Sequence, residues 1–175
     1  KSFANYFIVR FTEPIQRLVR EERKGKGGRH ALVAVNLAGE KVSSPTTFYV
    51  ASSFISREQA ELNLREVAPR SYQQVRAEGK AEWEKQLSRI AVTDSPDRMS
   101  TFYSCLYRSL LFPRRFYEIN AKGEAIHYSP YNRQVLPGYL YTDTGYWDTF
   151  RALMPLIHLV YPEEGAKMAE GMMNA

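Results

Sequence analysis

No apolar run in this sequence approaches the ~18 residues that a membrane-spanning helix needs, so a helical membrane span is not expected. Cysteine is almost absent. Cys105 stands alone among 175 residues, which excludes an internal disulfide. Placed between Phe102 and Leu106 in an apolar helical stretch, it reads as a small buried hydrophobe rather than a nucleophile or metal ligand; a single cysteine does not decide the compartment. The opening residues, Lys1 to Phe11, lack the basic, apolar and small-residue sections of a signal peptide. They read as a strand entered mid-protein. The closing Gly171 to Ala175 falls inside a helical pattern with no stop signal, so both ends read as cut. There is no internal repeat and no low-complexity segment. No helix carries a basic face and no zinc or RNA-binding motif is present, so nucleic acid is not an expected partner.

What is there is ordinary for a folded protein: 44% hydrophobic and 25% charged residues, enough to form a core. Part of the net charge of +5 sits between Arg20 and His30. The three glycines and two glutamates in that stretch read as a solvated hairpin loop rather than a nucleic-acid footprint. The first third alternates with period two. Phe7, Val9 and Phe11 share one face of an expected strand, with Tyr6 and Ile8 on the other. His30 to Val35 and Thr46 to Ala51 have the same β-branched and aromatic character between Gly, Pro and Ser. These strands predict antiparallel sheet, and alone they bury too little, so they need partners outside the chain.

After Ser56 the period changes to that of a helix. Ser56 and Gln59 fit a capping box, predicting a helix over 57–67 that stops near Pro69. A longer helix follows over 71–90, with Tyr72, Val75, Gly79, Trp83, Leu87 and Ile90 along one stripe and Arg76, Glu78, Lys80, Glu84 and Lys85 opposite. It reads as a helix lying on something. Ser95-Pro96-Asp97 starts another, carrying Met99, Phe102, Leu106 and Leu110 and flanked by Tyr103 and Tyr107, until Pro113. An irregular aromatic stretch runs from Phe116 to Tyr141, with a hairpin turn at Asn120-Ala121-Lys122-Gly123. A final helix, starting near Thr142–Thr144, carries Trp147, Phe150, Met154 and Ile157.

Chemistry concentrates between Tyr139 and Arg151. On a helix, Asp148 and Arg151 are neighbours at a spacing of three, and Trp147 and Arg151 at four. A carboxylate, a guanidinium fork and a flat indole are what a sugar ring asks for: acceptors and donors for vicinal hydroxyls, and a ring face for its C–H groups. Tyr139, Tyr141 and Tyr146 add amphipathic surface. A structural reading stands beside this one. Asp is favoured in a first turn by the helix dipole, Asp148 and Arg151 can form a plain surface ion pair, and Trp147 can be core.

The stretch Tyr141-Thr142-Asp143-Thr144-Gly145-Tyr146-Trp147-Asp148-Thr149-Phe150-Arg151-Ala152-Leu153-Met154-Pro155-Leu156 resembles the signature of glycoside hydrolase family 92. Three more segments resemble that family in the expected order: Ser53 to Ala60 with Asn63-Leu64 and Glu66, Trp83 to Ile90, and Phe102 to Pro113. The resemblance covers essentially the whole chain. It departs at Gly145-Tyr146, where family members often show a small residue such as Ser and then an aliphatic; the class is unaffected, and the linkage is left open.

The resemblance implies an α+β chain: residues 1–56 end an antiparallel β-sandwich, 57–93 form a helical linker, and 94–175 begin an (α/α) six-hairpin barrel. It implies part of a calcium-dependent exo-α-mannosidase, secreted or periplasmic, acting with inversion on terminal α-linked mannose of glycans, α-1,2 first among linkages. Trp147, Asp148 and Arg151 match motif positions that line the subsite for the terminal sugar. The family's acid, base and main calcium segments correspond to positions beyond residue 175, so the remainder of the same polypeptide is the implied partner. No residue here matches a catalytic group or calcium ligand; Glu118, Glu124, Glu163 and Glu164 read as solvated charges. Two alternatives remain: another (α/α) barrel glycoside hydrolase, which would not be expected to carry these segments in this order, and a non-catalytic carbohydrate-binding module, which would be complete within its strands.

Overall fold

A computed structural model describes residues 4–25, 28–38 and 46–175. Strand β1 (Tyr6–Phe11) pairs antiparallel with β4 (Phe48–Ser53), and β2 (Ile15–Gly25) pairs antiparallel with β3 (Gly28–Leu37). The charged stretch that begins at Arg20, expected in a loop, is ladder through Gly25, which pairs with Gly28. Lys26 and Gly27 lie outside the described residues. The Arg20–Glu22 pair at 2.5 Å within that ladder is solvated, with both side chains more than half exposed. Several apolar residues of both ladders stand in solvent: Phe7 is 71% exposed and Leu18 56%.

Helix α1 (Arg57–Leu64) starts where Ser56 Oγ accepts the Gln59 N–H at 3.1 Å, and it packs Ala60 and Leu64, both fully buried, against β4 and β1. It ends before the expected Val67, passing into turns ahead of Pro69, whose ring disfavours helical backbone at the preceding residue. Helix α2 (Tyr72–Leu87) has the full capping box, with the Gln74 N–H on Ser71 Oγ at 3.3 Å and the Ser71 N–H on Gln74 Oε1 at 2.8 Å. None of its residues is buried; Tyr72 and Gly79 are exposed and Val75 is only partly covered. The C-terminal end does dock: Leu87 and Ile90 join the core, and Trp83 meets the Tyr107 ring edge-on at 4.6 Å.

Helix α3 (Pro96–Ser109) turns Phe102 and Leu106 into the core, with Leu110 just beyond. Cys105 is exposed, not buried as expected. At 3.6 residues per turn it stands about 100° round from Leu106, off the apolar stripe. The stretch that follows is less irregular than its sequence suggests. Strands β5 (Arg114–Arg115), β6 (Glu118–Ile119), β7 (Ala125–Tyr128), β8 (Val135–Pro137) and β9 (Tyr141–Thr142) form a β6-β7-β8 antiparallel sheet and a β5-β9 pair. The β6–β7 hairpin turns at Asn120–Gly123 as expected, because Asn120 Oδ1 accepts the Lys122 and Glu124 N–H groups and Gly123 supplies φ 83°.

The single final helix is three: α4 (Tyr146–Thr149), α5 (Leu153–Val160) and α6 (Pro162–Met173). Pro155 explains the first break. In a continuous helix its ring would clash with the Arg151 carbonyl and leave that group without an N–H donor; restarting at Leu153 places Pro155 in a first turn, where no donor is needed. The core forms here. Leu106, Tyr141, Ile157, Tyr161 and Met168 are buried together, with Tyr161 OH donating to the Gln86 carbonyl at 3.0 Å. The chain is α+β, with antiparallel sheet leading into helices.

Candidate functional site

The β5–β9 pair aims the signature. Arg114 lies opposite Thr142 and Arg115 opposite Tyr141. Adjacent residues of a strand point to opposite faces, and the two arginines take different partners. Arg115 Nη2 donates to Glu164 Oε2 at 2.8 Å on α6; Arg114 grips Asp143 Oδ2 with Nη2 at 2.5 Å and Nε at 2.7 Å. Asp143 has φ 62°, left-handed, which turns the chain out of the strand. Gly145 then forms the N-terminal boundary of α4, and the Asp148 and Thr149 N–H groups both reach the Gly145 carbonyl.

Trp147, Asp148 and Arg151 are all exposed, Trp147 by 72%. Asp148 sits in the first turn of α4, its carboxylate folded against Gly145: a methyl group on Gly145 would stand 2.9 Å from Oδ2. Arg151 lies past the end of α4. Its guanidinium covers the Trp147 ring at 4.8 Å and the Phe150 ring at 5.3 Å, and Phe150 stacks on Tyr146 at 6.1 Å. The structure therefore brings Arg151 onto Trp147 as the spacing of four suggests. It does not pair Arg151 with Asp148: among the described residues no ion pair joins them. The helix is broken between Thr149 and Leu153, and a spacing of three makes neighbours only on an unbroken helix.

Carboxylates expected to be solvated divide into two kinds. Glu124 accepts from its neighbour Asn120, and exposed Glu163 pairs with Arg89 at 3.3 Å. Glu118 and Glu164 are different and correct that expectation. Glu118 Oε1 accepts the Phe54 N–H at 2.9 Å and Oε2 accepts the Asn63 amide at 2.7 Å, tying β6 to the end of β4 and to α1. Gln59 joins this cluster through Nε2, which donates to Asn63 Oδ1 at 2.9 Å and the Ile119 carbonyl at 2.7 Å. Glu164 takes Arg115, Lys167 at 2.7 Å and Tyr141 OH at 3.4 Å. Burial pushes its carboxyl up, but Lys167 and Arg115 outweigh that and hold it below the usual glutamate range. The Tyr141 phenol is pushed well up, first by burial, then by Tyr117 and Glu164.

A cleft of about 580 Å³ opens beside Asp143, lined among others by Arg114, Phe54, Phe116 and Tyr131. Trp147, Asp148 and Arg151 are not among its lining residues; they form an open face next to it.

The model for the glycosyl hydrolase family 92 catalytic domain matches residues 59–175. The chain belongs to glycoside hydrolase family 92. A family 92 inverting mannosidase from Bacteroides thetaiotaomicron superimposes with a TM-score of 0.86 at 39% identity over 98% of this chain. A family 92 α-mannosidase from Bacteroides thetaiotaomicron, also solved in complex with mannoimidazole, superimposes with a TM-score of 0.80 at 25% identity over 96% of this chain. This family 92 chain spans 24% of the length of each of these solved relatives. Among curated proteins nothing matches.

Calcium finds no carboxylate cluster among the described residues. Among the described residues no three His, Cys, Asp or Glu side chains converge in a way that could hold a metal ion. No helix of the described residues is long and apolar enough to cross a membrane. The sequence motif pointed to Asp148 but not to the Arg114–Asp143 clamp or to Glu164. The one local sign was Asp143 itself, since Asp tolerates left-handed backbone better than most residues; the partners lie 29 and 49 residues away along the chain from their counterparts, beyond any local pattern.

Proposed function

We propose that this chain is part of an exo-acting α-mannosidase that removes terminal α-linked mannose, α-1,2 first among linkages, with inversion and with calcium. In this reading Asp148 accepts from sugar hydroxyls, Arg151 donates to them, and Trp147 faces the apolar side of the ring. Residues 1–56 end the sandwich, 57–93 are the linker and 94–175 open the barrel. Inversion needs a protonated carboxyl for the leaving oxygen and a carboxylate to activate water, roughly 6.5–9.5 Å apart. Both come from the rest of the polypeptide, as do the calcium ligands, and the enzyme is secreted or periplasmic.

The observation that carries this reading is open hydrogen-bonding capacity. Asp148 and Arg151 do not neutralise each other, so the carboxylate and the guanidinium keep hydrogen-bonding capacity for a ligand beside an indole that is 72% exposed and carries Arg151 on one face. Family membership supports mannosides as the substrate class. The test uses the full-length enzyme: kcat/KM on an α-linked mannobiose and thermal unfolding are measured for Asp148→Ala and Arg151→Lys. Lost turnover with retained folding supports the role; normal turnover in both variants ends it.

A further inference from the structure

The connection from β9 to α4 is more constrained than a link between two short elements requires. Asp143 holds φ 62°, a backbone region that a side-chain-bearing residue occupies only at some cost. Three donors meet on its Oδ2: Arg114 Nη2 at 2.5 Å, Arg114 Nε at 2.7 Å and the Thr142 hydroxyl at 3.2 Å. Further on, the Thr144 hydroxyl donates to Thr149 Oγ1 at 3.3 Å, which in turn donates to the Gly145 carbonyl at 3.1 Å. These bonds close a loop around Gly145, and the Asp148 carboxylate fills the space that a side chain at 145 would take.

We propose that Asp143, clamped by Arg114, and Gly145, by leaving its side-chain space vacant, are positioning residues that set where the Asp148 carboxylate stands in the sugar site. This rests on the reading of Asp148 as a sugar contact. Stability does not explain the clamp: the Arg114 and Asp143 side chains are 64% and 46% exposed, and a pair that open to water adds little to folding. The geometry does explain it. The left-handed residue sets the direction in which the chain leaves β9, Arg114 holds that residue against β5, the strand paired with β9, and Gly145 admits the carboxylate. Gly145 has φ −78°, which any residue adopts, so its role lies in the space and not in the backbone.

That distinction makes the test clean. The atom that an alanine methyl at 145 would meet is the free end of the Asp148 side chain, which can swing away while the fold survives. In the full-length enzyme, Gly145→Ala and Asp143→Gly are made alone and on top of Asp148→Ala, and kcat/KM for an aryl α-mannoside and the melting temperature are measured. Asp143→Gly keeps the left-handed turn and removes the clamp. Each single variant is expected to lose roughly ten- to 100-fold in kcat/KM, the scale of an ångström-sized misplacement, with melting close to that of the parent. On the Asp148→Ala background each is expected to lose nothing further, because residues acting through one group are not additive. Equal losses on both backgrounds, or a lowered melting temperature with normal turnover, would overturn the proposal. A normal Asp148→Ala enzyme would instead remove the sugar-contact reading beneath it. An impaired Asp148→Ala enzyme with normal Asp143→Gly and Gly145→Ala variants would reject the positioning role alone.

Discussion

Two polar clusters in this chain use similar groups in opposite ways. At the junction of β4, α1 and β6, Glu118, Asn63 and Gln59 direct carboxylate and amide groups at one another, at the Phe54 N–H and at the Ile119 carbonyl. On the outer face of α4, Asp148 and Arg151 flank an exposed ring, and neither takes the other as a partner. The first cluster has committed its hydrogen bonds to the fold. The second has kept them. A half-buried polar group left without a partner carries a desolvation cost, so saturation is what stability selects; an exposed group carries no such cost and stays open to a ligand. The contrast marks the first cluster as architecture and supports the proposal that the second serves recognition.

The largest expected effect tests the open cluster. In the full-length enzyme, Asp148→Ala should remove about 1.5–3 kcal/mol of transition-state binding, roughly ten- to 150-fold in kcat/KM. Its stability should change by less than about 1 kcal/mol, the worth of an exposed first-turn carboxylate. Glu118→Ala should show the reverse in chemical denaturation, a loss of about 1–3 kcal/mol as the Phe54 N–H and Asn63 amide lose their acceptor, with turnover per folded molecule unchanged. If Glu118→Ala slowed turnover and left stability alone, the division between the clusters would be wrong.

Glu164 lies between the two, and acid sharpens its place. Its folded carboxyl is held below the ordinary glutamate value, so the ionised form contributes stability that is complete above about pH 4.3, the unfolded reference. That contribution is lost as pH falls through the lower folded value. Denaturation midpoints should therefore drop more steeply with acid in the parent than in Glu164→Gln. The smallest effects compare the two Ser-x-x-Gln helix starts. Gln74→Ala should cost about 0.5–1 kcal/mol, a local cap, whereas Gln59→Ala should cost more, about 1–2 kcal/mol, since it removes the part-buried bonds to Asn63 Oδ1 and the Ile119 carbonyl. Equal losses in denaturation would show that Gln59 is no more than a cap.

Those helix starts show how far local reading reaches. Ser56 with Gln59 and Ser71 with Gln74 are the same pattern and predict the same box. Both serines accept their N3 amide, but only Gln74 returns the bond. Gln59 turns instead to Ile119, 60 residues away, and no local pattern announces that choice. The hairpin at Asn120–Gly123 and the start at Ser95-Pro96 were legible because their reasons lie within a few residues. Pro155 is visible in the sequence too, and an unbroken helix through it would leave the Arg151 carbonyl without an N–H donor.

What the sequence determined by itself is therefore local and familial: where helices begin, the alternation of the first third, the turn chemistry, and the ordered segments that mark family 92. Tertiary structure decided which apolar residues are covered. Cys105 faces outward, and no residue of the α2 stripe from Tyr72 to Gly79 is buried among the described residues. It also decided which polar residues are committed, taking Gln59 and Glu118 for the fold and leaving Asp148 open. The physical reason is distance along the chain. A cap, a turn or a helical period is settled by neighbours within about four residues. Burial and hydrogen-bond satisfaction are settled by whatever segment arrives from far away.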